Sequence, residues 1–451
     1  MRDVELYRAI LGLTPPWRIV AVDLDVPGQQ VTVKADAGPG PFPCPECQEL
    51  VPGYDRNLRR WRHLDTCQFV TWIEAEIPRV ECPSHGVRQI QIPWAEAGSQ
   101  VTALFERLAI DLLRECSVEG AAGILRISWD EAWGIKQRAV RRGLARRTLR
   151  VVAHLGVDEK AFAKRHRYCT VVADLDAGCV LHVGDDRKQE SLDRYWQSLT
   201  SAQRDGIEAI AMDMWEPYIQ STHAHVPGAE AKIVFDKFHI AKHLHEGVDK
   251  VRRGEARRLR RTGDDRLVGT KYLWLMRPKD MAADQRATFR VLVGGDLKVA
   301  RAWALKERFR QVWAYTYLAS AQRFFARWFW RATHSRLKPM AEVAWMIRRH
   351  LPNVLTYLRH RITNAGLEAV NATIQWVKRT ARGFRNAEHF KTAIYFHCGG
   401  VGSLPTRKPV EPYLEGRILP NIIRSSGLGV QSIPFRPAYT ALWLYKTTLG
   451  A

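Results

Sequence analysis

The chain has 451 residues, of which 46% are hydrophobic, and it carries a formal net charge of +22 at pH 7. The length gives room for roughly two to four domains, and the apolar fraction excludes an intrinsically disordered chain. A positive surplus of this size favours a polyanionic partner, although a basic surface without any special role would give the same charge.

Signals for export are missing from the sequence. The first residues, MRDVELYRAILGL, lack the basic start and apolar core of a signal peptide, and no uncharged run is long enough to cross a bilayer. Five of the eight cysteines stand alone in the sequence, which indicates free thiols in a reducing compartment: Cys67, Cys116, Cys169, Cys179 and Cys398. These features predict a cytoplasmic protein without a membrane partner.

Residues 1–98 are predicted to form a β-rich zinc-binding domain. Alternating segments at 17–24 and 30–35 indicate strands, and two knuckles, CPEC and CPSH, flank two more strand-like segments. Paired knuckles of this kind are typical of a structural Zn²⁺ site with four protein ligands, here Cys44, Cys47, Cys82 and His85. His63 is the competing ligand, and unrelated cysteines beside a surface histidine are the alternative.

Residues 99–150 have the pattern of a helix-turn-helix domain followed by a linker. A long amphipathic segment, a short helical segment and a turn precede WDEAWGIKQRAVRRGLARR, for which Ser128 is a suitable cap. The last helix becomes basic towards its end, and this face is predicted to contact DNA through Lys136, Arg138, Arg141 and Arg142. A helical linker with a solvated basic face is the alternative.

Residues 151–244 are predicted to form an α/β layer with a mixed sheet. Apolar, β-rich segments recur at 151–158, 168–174, 179–184, 207–212 and 231–235. The turn at 174–178 suits a hairpin, and an amphipathic helix is expected at about 189–200. Three meandering strands, a helix and two further strands joined through helices indicate this arrangement.

Two acids of this layer occupy similar positions. Asp158 is predicted to end the first strand and Asp213 to end the fourth, so that each carboxylate stands at an open sheet edge. Two such carboxylates repel each other unless a cation lies between them, and Mg²⁺ prefers oxygen ligands of this kind. The alternative is that both acids are ordinary turn residues at strand ends.

Residues 245–360 are predicted to be helical throughout. The segment at 250–261, KVRRGEARRLRR, contains seven basic residues and one acid, and it offers Arg252, Arg253 and Arg257 to a DNA backbone.

Residues 361–400 are predicted to hold a helix that begins at Ala365, with Thr363 or Asn364 as its cap. Glu368 lies in the first turn, and Asn371, Gln375 and Lys378 follow along much the same face. Positive charge is added by Lys378, Arg379 and Arg382. The alternative is a capping acid on a solvated helix. The tail, 401–451, is expected to be irregular and is assigned no function.

The order of these parts resembles the DDE transposases of bacterial insertion sequences, specifically the ISL3 family. The resemblance rests on CPEC, CPSH, the helix-turn-helix pattern, GVDE, AMDMWEPY, VFDKFH and TNAGLEAVNATIQWVKRTARGFRN in this order, and it covers about residues 5–400. Each motif is weak when it stands alone. Members of such families often have Glu-Gly after the final acid, whereas this chain has Glu368-Ala369.

The resemblance implies a ribonuclease H-like catalytic core in which Asp158, Asp213 and Glu368 bind metal ions. It also implies that the helical region before Glu368 is an insertion into this core, preceded by the zinc-binding module and the helix-turn-helix. Asp236 and His239 lie one strand away and are expected, like Asn371, to support the metal ligands. Asp236 is the main rival of Asp213, which is preferred because this fold places its second acid after the fourth strand.

A two-metal mechanism with Mg²⁺ or Mn²⁺ would then cleave double-stranded DNA at the terminal inverted repeats and transfer the cut strands to a target. A nucleoid-associated homodimer or larger assembly is expected because two ends must be paired. One rival is a sequence-specific DNA-binding regulator that has lost catalysis, which the presence of all three acids disfavours. The other is a structure-specific nuclease, which would need little of the large N-terminal region.

Overall fold

A computed structural model of the chain describes residues 3–148, 150–163, 167–363, 365–401 and 404–405. The predicted irregular tail, 401–451, therefore lies almost entirely outside the described residues, as does Asn364, one of the two candidate caps. In the part that is described, no helix combines the length and the apolar character needed to span a membrane.

The N-terminal domain is a β structure, as the alternating segments predict. It contains helix α1 (Asp3–Leu11) and strands β1 (Arg18–Asp25), β2 (Gln30–Asp36), β3 (Phe42–Pro43), β4 (Leu50–Val51), β5 (Gly53–Thr66), β6 (Phe69–Cys82) and β7 (Gly86–Gln89). The main sheet has the order β1-β2-β6-β5 with β7 paired to β6, and β3 and β4 form a separate ribbon. Edge-to-face contacts between Trp17, Trp61 and Trp94, with ring centres 4.7 and 5.5 Å apart, fill its core.

Three helices follow in the predicted helix-turn-helix arrangement: α2 (Ala103–Glu115), α3 (Val118–Leu125) and α4 (Trp129–Ala145). Each begins at a hydroxyl side chain that accepts a hydrogen bond from the first turn, namely Thr102, Ser117 and Ser128. Ser128 and Glu131 complete a capping box, so the sequence-based cap of α4 is confirmed. Phe396, from far along the chain, completes the small core of these helices.

The central sheet has five strands in the order β10-β9-β8-β11-β12. Its strands are β8 (His154–Ala163), β9 (Arg167–Asp174), β10 (Cys179–Val183), β11 (Ala209–Met212) and β12 (Ile233–Phe235), with helices α5 (Gln189–Ser198), α6 (Ser201–Asp205), α7 (Glu216–His225) and α8 (Ala229–Lys232) between them. Strands β8 to β10 form an antiparallel meander, and β11 and β12 continue the sheet in parallel with β8. The sheet is therefore mixed, as predicted.

A helical region follows β12 directly. Its helices are α9 (Lys237–Arg260), α10 (Lys271–Leu275), α11 (Ala283–Gly294), α12 (Lys298–Phe309), α13 (Leu318–Thr333), α14 (Lys338–Arg349) and α15 (Leu351–His360). Because α9 is continuous, the predicted boundary at residue 245 falls inside a helix, and the basic segment 250–261 lies in its C-terminal part rather than in a helix of its own. One hydrophobic core runs from the sheet into this region.

The last two helices, α16 (Ala365–Thr380) and α17 (Ala387–Cys398), return to the sheet. Successive residues of a strand point to opposite faces, and here Val171 packs with α16 and α17 whereas Val172 packs with α5 and α7. The sheet therefore has helices on both faces. Glu368 of α16 is brought to the same sheet as Asp158 and Asp213, although 155 residues separate it from Asp213 in the sequence.

Candidate active site and zinc centre

The two knuckles of the N-terminal domain come together. The ligand atoms of Cys44, Cys47, Cys82 and His85 all lie within 4.8 Å of one another. Cys47 Sγ is 3.7 Å from Cys82 Sγ, and His85 Nδ1 is 3.8 Å from Cys44 Sγ and 3.4 Å from Cys82 Sγ. Sulfur and nitrogen ligands at tetrahedral angles around Zn²⁺ stand roughly 3.6–3.8 Å apart, so the four side chains fit this ion.

The surroundings of the cluster also favour thiolate ligands. Cys44 and Cys82 are buried in the core of the domain, and backbone hydrogen bonds, first from Cys47, lower the pKa of Cys44 to about 7. His63 is not part of the cluster, because it is buried elsewhere with Nδ1 2.9 Å from the hydroxyl of Thr102. The four protein ligands leave no open position, which is the pattern of a structural site.

The acids of the central sheet lie side by side because of strand register. Gly156 of β8 pairs with Ala211 of β11, and Asp158 and Asp213 each follow two residues later. Strand β12 pairs with β11 so that Asp236 lies next to Asp213. The prediction that Asp158 ends its strand is wrong, since it is the fifth of ten residues in β8, whose pairing with β9 continues to Ala163.

These acids line one cleft together with residues of α16. The cleft has a volume of about 430 Å³ and contains every predicted catalytic acid, Asp158, Asp213 and Glu368, and every predicted supporting residue, Asp236, His239 and Asn371. The Asn371 amide donates to Asp158 Oδ2 at 2.9 Å, so α16 contacts β8 directly at this point. Glu368 is exposed on the helix turn before Asn371.

Positive groups compensate the cluster of carboxylates. Lys160, two residues along β8, places Nζ 2.8 Å from Asp158 Oδ2, and His239 Nδ1 lies 3.2 Å from Asp213 Oδ2. Burial alone would raise the pKa of Asp213, but the hydrogen bond and charge of His239 outweigh it, so this pKa lies below its usual value. The same hydrogen bond raises the pKa of His239.

Asp236, which follows the end of β12, differs from the two neighbouring acids. Burial first, and then the negative charges of Asp158 and Asp213, raise the pKa of Asp236, although a hydrogen bond from the Phe238 amide opposes the shift. That hydrogen bond makes Asp236 the N-cap of α9. Asp236 therefore has a structural role as the cap of α9.

The carboxylates fit a divalent cation with oxygen ligands. Mg²⁺ is usually held by one or two carboxylates, with waters and substrate phosphates completing its shell. Asp158 and Asp213 on adjacent strands, with Glu368 in the cleft wall, offer such a set. Among the described residues, only the zinc ligands converge to within 4.8 Å of one another, so the acids form the more open arrangement.

Two of the residues predicted to contact DNA are withdrawn because they are internal. Lys136 is 4% exposed, with Nζ 3.1 Å from Nε2 of His397 on α17. The Arg142 side chain is 9% exposed and forms ion pairs with Glu96 and with the buried Glu106. These partners come from other elements, so the sequence of α4 alone could not reveal them.

The remaining basic candidates divide by exposure. Arg141, Arg253, Arg257, Arg379 and Arg382 are exposed. Three others are partly buried, namely Arg138, Arg252 and Lys378. Arg252 pairs with Asp249 at 2.8 Å, and Lys378 Nζ donates to the Ala161 carbonyl at 2.7 Å. A DNA backbone would therefore meet the first group before the second.

The cleft also contains residues that the sequence analysis did not select. They are Glu159, Lys160, Trp215, Tyr218, Phe238 and Lys242. Lys160 could have been found from the two-residue alternation of a strand, which places it on the face of Asp158. Trp215 and Phe238 follow β11 and β12 closely, and both are exposed aromatic residues, at 38% and 62%.

Three family models match successive parts of the chain. A model described as a transposase, of the ISL3 type, matches residues 155–394, which is more than half of the chain. A zinc-finger of the transposases IS204, IS1001, IS1096 and IS1165 matches residues 40–85, and a helix-turn-helix domain of transposase family ISL3 matches residues 90–140.

Individual relatives agree with these models. The chain is 28% identical over 420 residues to the transposase for insertion sequence element IS1557 of Mycobacterium tuberculosis, a match that covers 86% of this chain and 94% of the relative. It is 26% identical over 341 residues to the transposase for insertion sequence element IS1001 of Bordetella parapertussis. This match covers 75% of this chain and 84% of the relative.

Proposed function

The chain belongs to the ISL3 family of transposases, and from this premise we propose that it binds the terminal inverted repeats of an insertion sequence and catalyses DNA cleavage and strand transfer in the acid-lined cleft. The observation that carries the proposal is the register of β8 and β11, which places Asp158 beside Asp213 in a cleft that also contains Glu368.

We propose further that the core is ribonuclease H-like. An antiparallel three-stranded meander extended by two parallel strands, with helices on both faces, supports this proposal. The positions of the acids agree with it, since the first lies on the first strand, the second follows the fourth strand and the third lies on a later helix. The helical region from α9 to α15 is then an insertion before that helix.

In the proposed mechanism, Asp158, Asp213 and Glu368 would hold two Mg²⁺ or Mn²⁺ ions. Such ions would supply activation of the attacking oxygen and charge stabilisation of the leaving 3′-oxygen in an in-line displacement. Asn371 orients the Asp158 carboxylate through its amide, and His239 keeps Asp213 ionised. Lys160, already 2.8 Å from Asp158, is placed to pair with a phosphate oxygen of the DNA instead.

The N-terminal region is proposed to read the DNA ends. The helix-turn-helix and the zinc-binding β domain would contact the terminal repeats, while the exposed arginines hold phosphates. Zinc bound by Cys44, Cys47, Cys82 and His85 would be structural, because the protein supplies all four ligands. Pairing of two ends requires at least two DNA-binding units, so a homodimer or larger assembly on DNA is part of the proposal.

The test is metal-dependent cleavage of labelled duplexes that carry the ends of the chain's own element. Asp158→Asn, Asp213→Asn and Glu368→Gln should each lower the single-turnover rate at least about a hundredfold, because metal ligation supplies several kcal/mol of transition-state stabilisation. End binding should persist in all three. Asp284→Asn, an exposed acid on α11 outside the cleft, is the matched control.

One further variant distinguishes Asp213 from Asp236. Asparagine is also a good N-cap, so Asp236→Asn should keep α9 in place and retain cleavage within about tenfold of the wild type. A loss as complete as that of Asp213→Asn would instead make Asp236 a metal ligand. Wild-type protein that binds the ends but never cuts with Mg²⁺ or Mn²⁺ would favour a DNA-binding regulator over a transposase.

A further inference from the structure

A second groove continues from the acid-lined cleft along helix α9. It has a volume of about 420 Å³ and shares Phe238 and Lys242 with the cleft. The other residues that line it are Ala241, His245, Glu246, Asp249, Lys250, Arg253, Lys271 and Leu275. Arg253 is the one basic residue of this lining that the sequence analysis predicted to contact DNA. The two cavities therefore form one path that begins at the carboxylates.

The path follows a single face of α9. Phe238, Lys242, Asp249 and Arg253 are separated by four, seven and four residues, the spacing that keeps side chains on one side of a helix. At 1.5 Å per residue, the distance along the axis from Phe238 to Arg253 is about 22 Å. Helix α10 forms the opposite wall through Lys271 and Leu275. The groove is thus long and is built on two helices.

The groove is positively charged, and three of its lysines are exposed and form no ion pair with a described carboxylate. Among the residues that the structure describes, no carboxylate forms an ion pair with Lys242, Lys250 or Lys271, and all three lysines are exposed. The groove contains two acids, Glu246 and Asp249. Asp249 is neutralised by Arg252 at 2.8 Å and by Arg253 at 3.1 Å. Three exposed ammonium groups on the two walls of one groove suit a chain of phosphates.

Phe238 stands where the cleft meets the groove. Its side chain is 62% exposed, although its backbone amide is fixed by the Asp236 carboxylate at 3.2 Å. An exposed aromatic ring beside basic residues is the arrangement on which bases of a single strand stack. In a duplex the base faces are covered by their neighbours, so such a ring needs unpaired nucleotides.

We propose that this groove, from Phe238 to Arg253, binds the unpaired nucleotides that flank the scissile phosphate as a single strand of DNA. The inference rests on the proposed function, which supplies a cut strand at the carboxylates. A cavity of about 420 Å³ is of the size that holds one drug-sized ligand, so it is too small for a duplex, and the single strand continues from it along the lysines of both walls. Phe238 stacks on the first base, and the lysines of the two walls pair with the phosphates that follow.

The first experiment measures the binding of the full chain to fluorescein-labelled (dT)₁₂ by fluorescence anisotropy over a range of salt concentrations. Each phosphate contact with a single strand contributes about 0.7 to the slope of log K against log salt. The triple variant Lys242→Gln, Lys250→Gln, Lys271→Gln should therefore lower the slope by about 2. The control triple Lys279→Gln, Lys298→Gln, Lys338→Gln makes the same change in charge at exposed positions outside the groove.

Equal losses in both triple variants would mean that only the overall charge binds (dT)₁₂, and would overturn the proposal. The second variant is Phe238→Ala, which should weaken (dT)₁₂ binding about 5- to 100-fold, since one stacking contact is lost. Phe238→Trp should keep the affinity, and Tyr317→Ala, a ring that is 77% exposed outside the groove, should not change it. Unchanged binding in Phe238→Ala contradicts the stacking role.

These measurements need no cleavage, so the two proposals fail separately. Suppose that the groove variants alter neither the salt slope nor the affinity for (dT)₁₂, while wild-type protein cuts its DNA ends. The proposal of single-strand binding in the groove is then wrong, and the transposase proposal stands. If the groove variants behave as expected but wild-type protein never cuts, the single-strand site stands and the proposed reaction falls.

Discussion

At the scale of single residues, Lys136 shows how burial changes the role of a basic side chain. Its Nζ lies 3.1 Å from Nε2 of His397 and 4.6 Å from the ring centre of Phe396. Burial lowers the pKa of Lys136 to about 8, and burial together with the charge of Lys136 lowers the pKa of His397 to about 3. The ring is therefore neutral and accepts a hydrogen bond from an ammonium group that has no anionic partner in the part of the chain that the structure describes.

We expect Lys136→Met to stabilise the protein at pH 7 by about 1–2 kcal/mol, measured by urea unfolding. Below pH 8 the native state carries a desolvated charge. As the pH rises from about 8 towards the ordinary lysine value of 10.5, the side chain loses its proton in the native state before it does so in the unfolded state. The free-energy cost of burying the charge then disappears. The gain should therefore shrink at pH 10. Lys338→Met, at an exposed position, is the control, and destabilisation at pH 7 would contradict the argument.

Single residues also show how much of the site could be predicted from the sequence. The pattern of apolar segments located the strands well enough to select Asp158 and Asp213 as neighbours. It misplaced the end of β8, because Asp158, Glu159 and Lys160 interrupt the apolar segment, whereas the pairing with β9 continues to Ala163. Arg142 was misread for a related reason, since its partner Glu96 lies 46 residues away in the sequence. Local periodicity carries no information about such contacts.

At the scale of elements, one buried acid connects two helices of the inserted region. Glu255 of α9 is 3% exposed, and its two carboxylate oxygens accept hydrogen bonds from the backbone amides of Lys298 and Val299, each at 2.8 Å. These amides begin α12, where the helix dipole favours a negative charge. The sequence analysis treated 250–261 as a basic surface, but its single acid holds the helix against α12.

Glu255→Ala should lower the free energy of unfolding by about 2–4 kcal/mol, because two amides at the start of α12 lose a charged acceptor. Glu255→Gln keeps the shape but only one acceptor oxygen, so it should cost less than the alanine variant. Thermal melts followed by circular dichroism measure both changes. Glu342→Gln, an exposed acid on α14, is the matched control, and equal stability of all three variants would show that Glu255 is not a cap.

At the scale of the whole molecule, the segment between α4 and β8 is attached to the central sheet and to the end of α17. Arg147 donates to the carbonyls of Val180 and Leu181 at 2.9 and 3.0 Å and also to the carbonyl of Gly399, just after α17. Near the start of α4, Trp133 packs on His389 of α17 with ring centres 4.4 Å apart. The boundary predicted at residue 245 falls inside α9, and no local pattern in the sequence indicates that α4 and α17 pack against each other.

This attachment fixes the helix-turn-helix relative to the cleft, so it should transmit end binding into correct placement of the scissile phosphate. We expect Arg147→Met to leave the affinity for DNA ends within about threefold of wild type and to slow single-turnover cleavage about tenfold, because small displacements of a reacting group cost rate.

Arg141→Met provides the opposite case. Arg141 is exposed on α4, so its loss should weaken end binding and lower the salt slope by about 0.9, while bound complexes cut at the normal rate. Both variants are compared at a temperature where circular dichroism shows them folded. If Arg147→Met cuts bound ends as fast as the wild type, the contact between α4, β10 and α17 holds the fold together but does not align the DNA. If it loses affinity as Arg141→Met does, Arg147 itself faces the DNA.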